Sequence, residues 1–519
     1  MRPYQKILLL APPGKCYVRP IDGAILERKH AQPPLGLAYV AGAVRNAGYD
    51  VEILDVLLEG YDNEVFCDDY VVYGLPTDEV IRRIKEAKPD MLGMGILFSH
   101  LATEVFKLIA AIKADLPDLP IILGGHHPSA MPEKVLEAQA AVDYVLTGEA
   151  DLTFPQFLNA LNGEGEIGSV KGLYWRDGET ITNTMSSAVP AYQGSDFAYY
   201  GRKDSPNPGD LTALTFPAWD LFDMPSYWAV EVRQGGGTSV HERYAVMVTT
   251  RGCPHVCDYC TSPLMGGYKY YRKRPIEDVV AEIRWLRDEF GVGEVHFMDD
   301  NLFVAQKRGK EMLRAFAENF PGMTFVNPPG SEVNALDDEL IELMKKAGWA
   351  RAIIAIESAD EEIQDKRVDK KVKIDRVPEV VAKCKEVGLE IRGYFMLGFP
   401  DETREQVLKT ANMARDLDLD DFSLSLVSPL PGTPLYDECN DRALLTETYN
   451  ADDVRFALSH IEHEDISGQE LNDIRASYWR ENKEKWLLRH REEGGDIIRA
   501  YDDLEDYAET GFKRESASG

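Results

Sequence analysis

The chain has 519 residues, more than one compact domain usually holds, so two domains and a smaller third piece are expected. With 44% hydrophobic and 28% charged residues it is neither a disordered nor a fibrous chain. The 57 Lys and Arg set against 88 Asp and Glu leave a net charge of −31, which repels phosphate backbones and anionic lipid, so no nucleic-acid or membrane-surface partner is expected. No stretch reaches the ~18 to 20 apolar residues of a membrane span. The apolar run Ile7 to Ala11 is too short for a signal-peptide core, so a cytoplasmic location is expected. Seven cysteines, an odd number, argue against a disulfide framework.

In chain order, Lys6 to Ala11, Val51 to Asp55, Met91 to Leu97, Pro120 to Leu123 and Tyr144 to Thr147 read as buried strands. Between them Leu35 to Ala47, Asp78 to Ala87, Leu101 to Ala114, Pro132 to Ala138 and Leu152 to Leu161 have helical spacing. Strands each followed by a helix predict an α/β domain over residues 1–165, a Rossmann-like doubly wound parallel sheet with ligands at the strand carboxyl ends. Glycines and small residues collect there: Pro12-Pro13-Gly14, Ser99-His100-Leu101, Gly124-Gly125 and Thr147-Gly148-Glu149. Turn chemistry alone accounts for such glycines in a flavodoxin-like module. No Gly-x-Gly-x-x-Gly follows the first strand, so a dinucleotide site is poorly supported.

Ser-x-Leu after the third strand and Gly-Gly after the fourth resemble two of the three signature pieces of cobalamin-binding domains. That resemblance assigns cobalamin contacts to Ser99, Leu101, Gly124 and Gly125, and to Gly148 and Glu149 at the next strand end. The third piece, Asp-x-His-x-x-Gly, is missing; the loop from Pro12 to Pro34 holds only His30, in another context. Cobalamin is therefore expected without that histidine ligand. His100, His126 and His127 lie on the right edge of the sheet, although a loop histidine is more often simply hydrogen-bonded.

Residues 166–240 read as a hairpin and linker. Lys171 to Thr182 alternates about Asp177-Gly178, and Ala188 to Gly237 gathers proline, glycine and aromatics, among them Tyr199, Tyr200, Trp219, Tyr227 and Trp228.

After a predicted strand, Tyr244 to Thr249, come Cys253, Cys257 and Cys260. Chance would give this triplet spacing about 0.001 times in such a chain. Three thiolates on one loop can hold a [4Fe–4S] cube and leave its fourth iron without a protein ligand; zinc would need a further ligand, for which His255 is a candidate. Cys-x-x-x-Cys-x-x-Cys with an aromatic before the last cysteine resembles the radical S-adenosylmethionine (SAM) superfamily, in which SAM chelates the open iron and is cleaved to a 5′-deoxyadenosyl radical. The resemblance places Cys253, Cys257 and Cys260 on the cluster and Tyr259 near adenine.

Downstream, Glu294 to Met298, Thr324 to Asn327, Ala352 to Ile356, Glu390 to Met396 and Phe422 to Val427 alternate with helices. With the strand before the cysteines they predict a partial (β/α)6 barrel over residues 241–440, its polar residues at the strand carboxyl ends. By the same resemblance, Asp299 and Asp300 receive the SAM amino group, Glu357 and Ser358 its ribose and methionine part, and Gly398 and Pro431 approach adenine. Taken singly, each is equally a helix cap or a loop turn. Residues 441–519 read as a helical cap ending in a frayed Gly511 to Gly519.

Over about residues 1–440 the arrangement resembles the cobalamin-dependent (class B) radical SAM family, whose commonest reaction moves a methyl from SAM through cobalamin to an unactivated carbon or a phosphorus of a small molecule. A low-potential flavodoxin- or ferredoxin-type donor is implied as electron partner. The alternative within the family is a cyclase or ring-contracting enzyme without methyl transfer. A tRNA methylthiotransferase is opposed by the charge and by having only Cys16 and Cys67 for a second cluster. A non-enzymatic cobalamin sensor would leave SAM intact. Tyr394 and Arg392, on the fifth barrel strand, are candidate catalytic residues, with packing or charge pairing as the plainer reading.

Overall fold

The computed structural model describes residues 3–17, 29, 31–67, 70–184, 211–212, 214–230, 241–266, 271–456 and 458–490. In the first sheet Asp50–Asp55, Lys6–Ala11, Met91–Gly95, Ile121–Gly124 and Tyr144–Leu146 lie side by side and parallel. Numbered along the chain this is the order 2-1-3-4-5, whose switch point lies between the first and third strands. The continuous apolar run Ile7 to Leu10 suits a strand covered on both faces. Leu8 and Leu10 pack with Val80, Ile84, Val105 and Ile109 of the helices Thr77–Ala87 and Ala102–Asp115. Ile7 and Leu9 pack with Ala41, Val44, Phe154 and Phe157 of Leu35–Asn46 and Ala150–Leu161 on the other face.

Two features depart from expectation. The hairpin Leu173–Asp177 and Thr180–Asn183, turning at Gly178 with φ 64°, pairs antiparallel onto Tyr144–Leu146, so this sheet runs to Asn183 and past residue 165. A small antiparallel sheet of Gly14–Tyr17, Glu64–Phe66 and Tyr70–Tyr73 sits beside Ser99–Leu101; its strands are too short for their periodicity to announce them.

Six parallel strand positions form the second unit, but as two half-sheets. Tyr244–Met247, Glu294–Phe297 and Thr324–Val326 make one; Ser331–Glu332, Arg351–Glu357, Glu390–Leu397 and Asp421–Leu426 make the other. The third strand is broken at Asn327-Pro328-Pro329-Gly330, because two prolines cannot donate to the ladder and Gly330 takes φ 88°; beyond the break the chain pairs with the fourth strand. Outside, Phe297, Phe316, Phe325 and Trp349 stack between strands and helices.

Trp219 and Tyr227 of the connector are buried, and Trp228 Nε1 donates to Tyr244 O at 2.8 Å. Tyr199, Tyr200, Gly235 to Gly237 and the terminal residues from 491 lie outside the described residues. The helix Gly468–His490 covers the last barrel strand: Arg475 Nε donates to Leu424 O at 2.9 Å and Asn482 Nδ2 to Phe422 O at 3.0 Å, occupying the carbonyls of an edge. Among the described residues no helix is long and apolar enough to cross a membrane.

Candidate active site

The carboxyl ends of the two sets of strands face each other. His126–Ala130, after the fourth strand of the first sheet, packs on Ser262–Gly266, the helix just past the cysteines. Gly432, with φ 80°, is wedged between them; a Cβ there would lie 3.0 Å from Leu264 and 3.2 Å from Ala130. On one flank Arg251 and Arg272 reach Glu149 at 2.9 and 3.0 Å. On the other, a C-terminal segment reaches back, with Asp453 2.8 Å from Lys15 and Asp452 3.2 Å from His127 Nε2.

Thr250–Arg251 pairs antiparallel with Arg272–Lys273, and the chain then turns at Gly252, φ 81°, into the cysteine loop. Burial pushes the Cys253 thiol up to about 12 and that of Cys257 to about 11, and raises that of Cys260. The thiolates a cluster needs must therefore be stabilised by the metal and by nearby positive charge. Ser262 N donates to Cys260 Sγ at 3.4 Å and Asn301 Nδ2 to Cys253 Sγ at 3.8 Å. Lys370 supplies the charge: burial alone would lower its pKa, but Glu357, 2.6 Å away, and the cysteines outweigh burial and raise it. Among the described residues no group of three His, Cys, Asp or Glu is arranged around a single ion. Three cysteines on one loop suit a [4Fe–4S] cluster, whose thiolates each bind a separate iron, and His255 is occupied elsewhere, 2.6 Å from Glu332.

The strand ends bring several expected residues together. Asp299 is fully buried, and its carboxylate accepts from the backbone and hydroxyls of Thr249 and Thr250 at 2.6 to 3.1 Å, tying the second strand to the entry of the loop. Asp300 is exposed and accepts from Gly252 N at 3.2 Å and Ser262 Oγ at 2.8 Å. Asn301, next to them, donates to Glu332 at 2.9 Å and keeps a buried Oδ1 without a partner. Burial would raise Glu332, but the hydrogen bonds from His255 and Asn301 prevail and hold it below the usual range. Glu357 closes the fourth strand in the left-handed region, φ 68°, beside a register shift against the fifth strand. A non-glycine residue held there is strained, as functional positions often are. The Ser358 hydroxyl is taken up by Thr410, 3.2 Å away, and by Asp360 N at 3.1 Å.

Tyr259 packs edge-on against Phe399 at 5.7 Å in an apolar cluster with Cys257, Val427 and Leu435. Gly398, φ 83°, turns its Cα hydrogen toward Leu471, where a Cβ would come within 3.1 Å. Pro431 is buried in the turn that Thr433 N closes on Leu430 O at 3.1 Å. Tyr394 donates to Pro328 O at 2.8 Å, and Arg392 donates to Ser423 at 2.8 Å and lies 3.3 Å from Asp421, so both side chains are tied to the barrel wall.

On the facing edge, Ser99 Oγ is 3.0 Å from His127 Nδ1, and Leu101 is half-buried. Gly124 leaves room, its Cβ position 3.5 Å from Leu146 O, whereas Gly125, φ 97°, would meet Ile96 O at 2.6 Å. Gly148, φ 75°, donates to Ser129 Oγ at 3.0 Å. Leu97 and Phe98 stand 52% and 43% exposed at the end of the third strand, and Gly95 faces open space. An uncovered apolar ledge above small residues fits a broad corrin. His126 is pushed below the ordinary histidine range by burial, and His30 lies outside the described residues.

Lys370, Glu332, Arg251 and Arg272 were not legible as site residues. Lys370 falls in the charged run from Glu361 to Lys373, which reads as a solvated surface, and the others belong to no motif.

Residues 247–414 match the family model of the radical SAM superfamily, and residues 21–158 that of the B12 binding domain. The chain is 31% identical over 460 residues, 84% of its length and 82% of the relative's, to cytidylyl-2-hydroxyethylphosphonate methyltransferase of Streptomyces wedmorensis. It is 24% identical to the anaerobic magnesium-protoporphyrin IX monomethyl ester cyclase of Synechocystis, over 85% of this chain and 78% of that one. The solved structure of the radical SAM methyltransferase TsrM from Kitasatospora setae shares the fold, with a TM-score of 0.65 at 18% identity over 86% of this chain and 77% of that one. With the cysteine loop facing a B12-type sheet edge, the chain belongs to the cobalamin-dependent radical SAM family.

Proposed function

We propose that this chain is a methyltransferase that moves a methyl group from SAM, by way of cobalamin, to an unactivated carbon or a phosphorus of a small molecule. The observation that carries this is the meeting of the two strand edges, which sets the cysteine loop opposite the apolar ledge of the B12-type domain. Bound there, the cluster and cobalamin supply a substrate radical and a methyl carrier. Cys253, Cys257 and Cys260 hold the cluster and leave one iron for SAM. Lys370 is the cation suited to the SAM carboxylate, and the free buried Oδ1 of Asn301, with exposed Asp300 beside it, suits the ammonium. Asp299 serves instead as the anchor of Thr249 and Thr250. Tyr259, Phe399 and Val427 offer an apolar seat for adenine.

The reductant is a flavodoxin- or ferredoxin-type protein. The net charge of −31 favours a small-molecule acceptor over RNA, and the setting is cytoplasmic. The cyclase reading is disfavoured because the methyltransferase relative is the more similar, 31% against 24% identical. Protein reconstituted anaerobically and given methyl-labelled SAM, reductant and a panel of acceptors that includes nucleotidyl phosphonates tests the proposal. Label in the acceptor supports it; 5′-deoxyadenosine formed with a changed acceptor that carries no label overturns it.

A further inference from the structure

Glu149 belongs to the B12-type domain and yet spends both carboxylate oxygens on the barrel. Oε2 accepts from Arg251 Nη1 at 2.9 Å and Arg272 Nη1 at 3.0 Å, and Oε1 accepts from Arg272 Nη2. Arg251 also donates to Asp151 and lies over the Tyr39 ring, 5.0 Å from its centre. The four charged side chains are 6 to 13% exposed, and their charges cancel.

Their places in the chain give the cluster its meaning. Glu149 follows Gly148, whose N–H is held by Ser129 of the helix His126–Ala130. Arg251 is separated from Cys253 by Gly252 alone, and it is the cross-strand partner of Arg272. One carboxylate thus joins a loop of the cobalamin face to Arg251, two residues before the first cysteine, by a single bond, and to its cross-strand partner Arg272 through a bidentate fork.

We propose that Glu149 is a positioning residue, not a cobalamin contact, and that its bonds to Arg251 and Arg272 fix the separation of cobalamin and the iron–sulfur cluster. Reacting groups displaced by about 1 Å lose about 100-fold in rate, so a buried clamp at this junction acts directly on the transfer between the two cofactors. A buried charge group of this kind serves register more than stability. The inference rests on both cofactors binding this chain and does not depend on methyl transfer being the outcome.

Pulsed electron paramagnetic resonance on the full-length holoenzyme, with cobalamin as cob(II)alamin and the cluster reduced, reads the spin–spin coupling between them. Glu149→Gln is expected to keep iron and cobalamin at wild-type stoichiometry while the coupling broadens, and turnover of the acceptor, methylated or otherwise converted, is expected to fall about 100-fold. Arg272→Lys keeps the charge balance and loses the fork, so it folds and shows the same broadening. Cobalamin lost from Glu149→Gln with iron intact would make Glu149 a ligand contact and overturn the proposal. A wild-type coupling in either loaded variant overturns it as well.

Discussion

Lys370 Nζ and Glu357 Oε1 lie 2.6 Å apart beside the cysteine loop, and Glu357 is held there in a left-handed backbone conformation. The pair places one cation within electrostatic reach of all three cysteines. Replacing Lys370 by Met leaves a buried carboxylate without its partner, at a cost of about 3 to 5 kcal/mol. Denaturant titration should show that loss, and equilibrium dialysis of the cluster-loaded protein should show SAM affinity weakened by at least about tenfold.

Cys257→Ala should abolish the ~400 nm absorbance of the cluster together with SAM cleavage. Cobalamin should stay bound, because its face is built on the first sheet, whose strands Lys6–Ala11 and Met91–Gly95 are packed in two clusters of their own, while Ala38 and Leu58 of the flanking helices join the barrel's cluster. A visible spectrum with iron and cobalt counts checks this; loss of both metals would mean that the two units do not fold independently.

Asn301 hydrogen-bonds to Cys253 Sγ at 3.8 Å. Donors to cluster sulfur raise the reduction potential, so Asn301→Leu should move the cluster to a more negative potential in a dye-mediated redox titration. The same change removes the proposed ammonium acceptor and should weaken SAM binding. An unchanged potential with unchanged SAM affinity would remove Asn301 from the site.

Glu402 lies under the turn at Gly398, accepting from Gly398 N at 2.6 Å and Phe399 N at 2.9 Å, and burial pushes its carboxyl up to about 7. A raised carboxyl pKa means that the native state holds its proton where the unfolded chain has lost it. From its ordinary 4.5 up to about 7, stability should therefore fall as pH rises. Glu402→Gln keeps an acceptor for the two amides and has nothing to ionise. The variant should be more stable than wild type by about 3 kcal/mol at pH 8, and the difference should vanish near pH 4. Denaturation curves across that range measure it.

Much of the fold was legible because both sheets use buried parallel strands, whose apolar runs stand out against amphipathic helices. Lys6–Ala11 has the bounds its apolar run predicts, and Glu390–Leu397 extends its predicted run by one residue. The break in the third barrel strand was not foreseen, although Pro328 and Pro329 carry the signal. The cysteines were legible because a metal loop imposes close spacing. Lys370 and the Glu149 clamp were not, since a buried ion pair forms between residues far apart in the chain and leaves no periodic mark.

Counting SAM-derived products in a single anaerobic reaction with a competent acceptor tests the methyltransferase reading most directly. Each methyl delivered uses one SAM as donor and one as radical source, so S-adenosylhomocysteine and 5′-deoxyadenosine should accumulate in equal amounts with the methylated product. Abundant 5′-deoxyadenosine beside consumed acceptor and no S-adenosylhomocysteine would contradict the account.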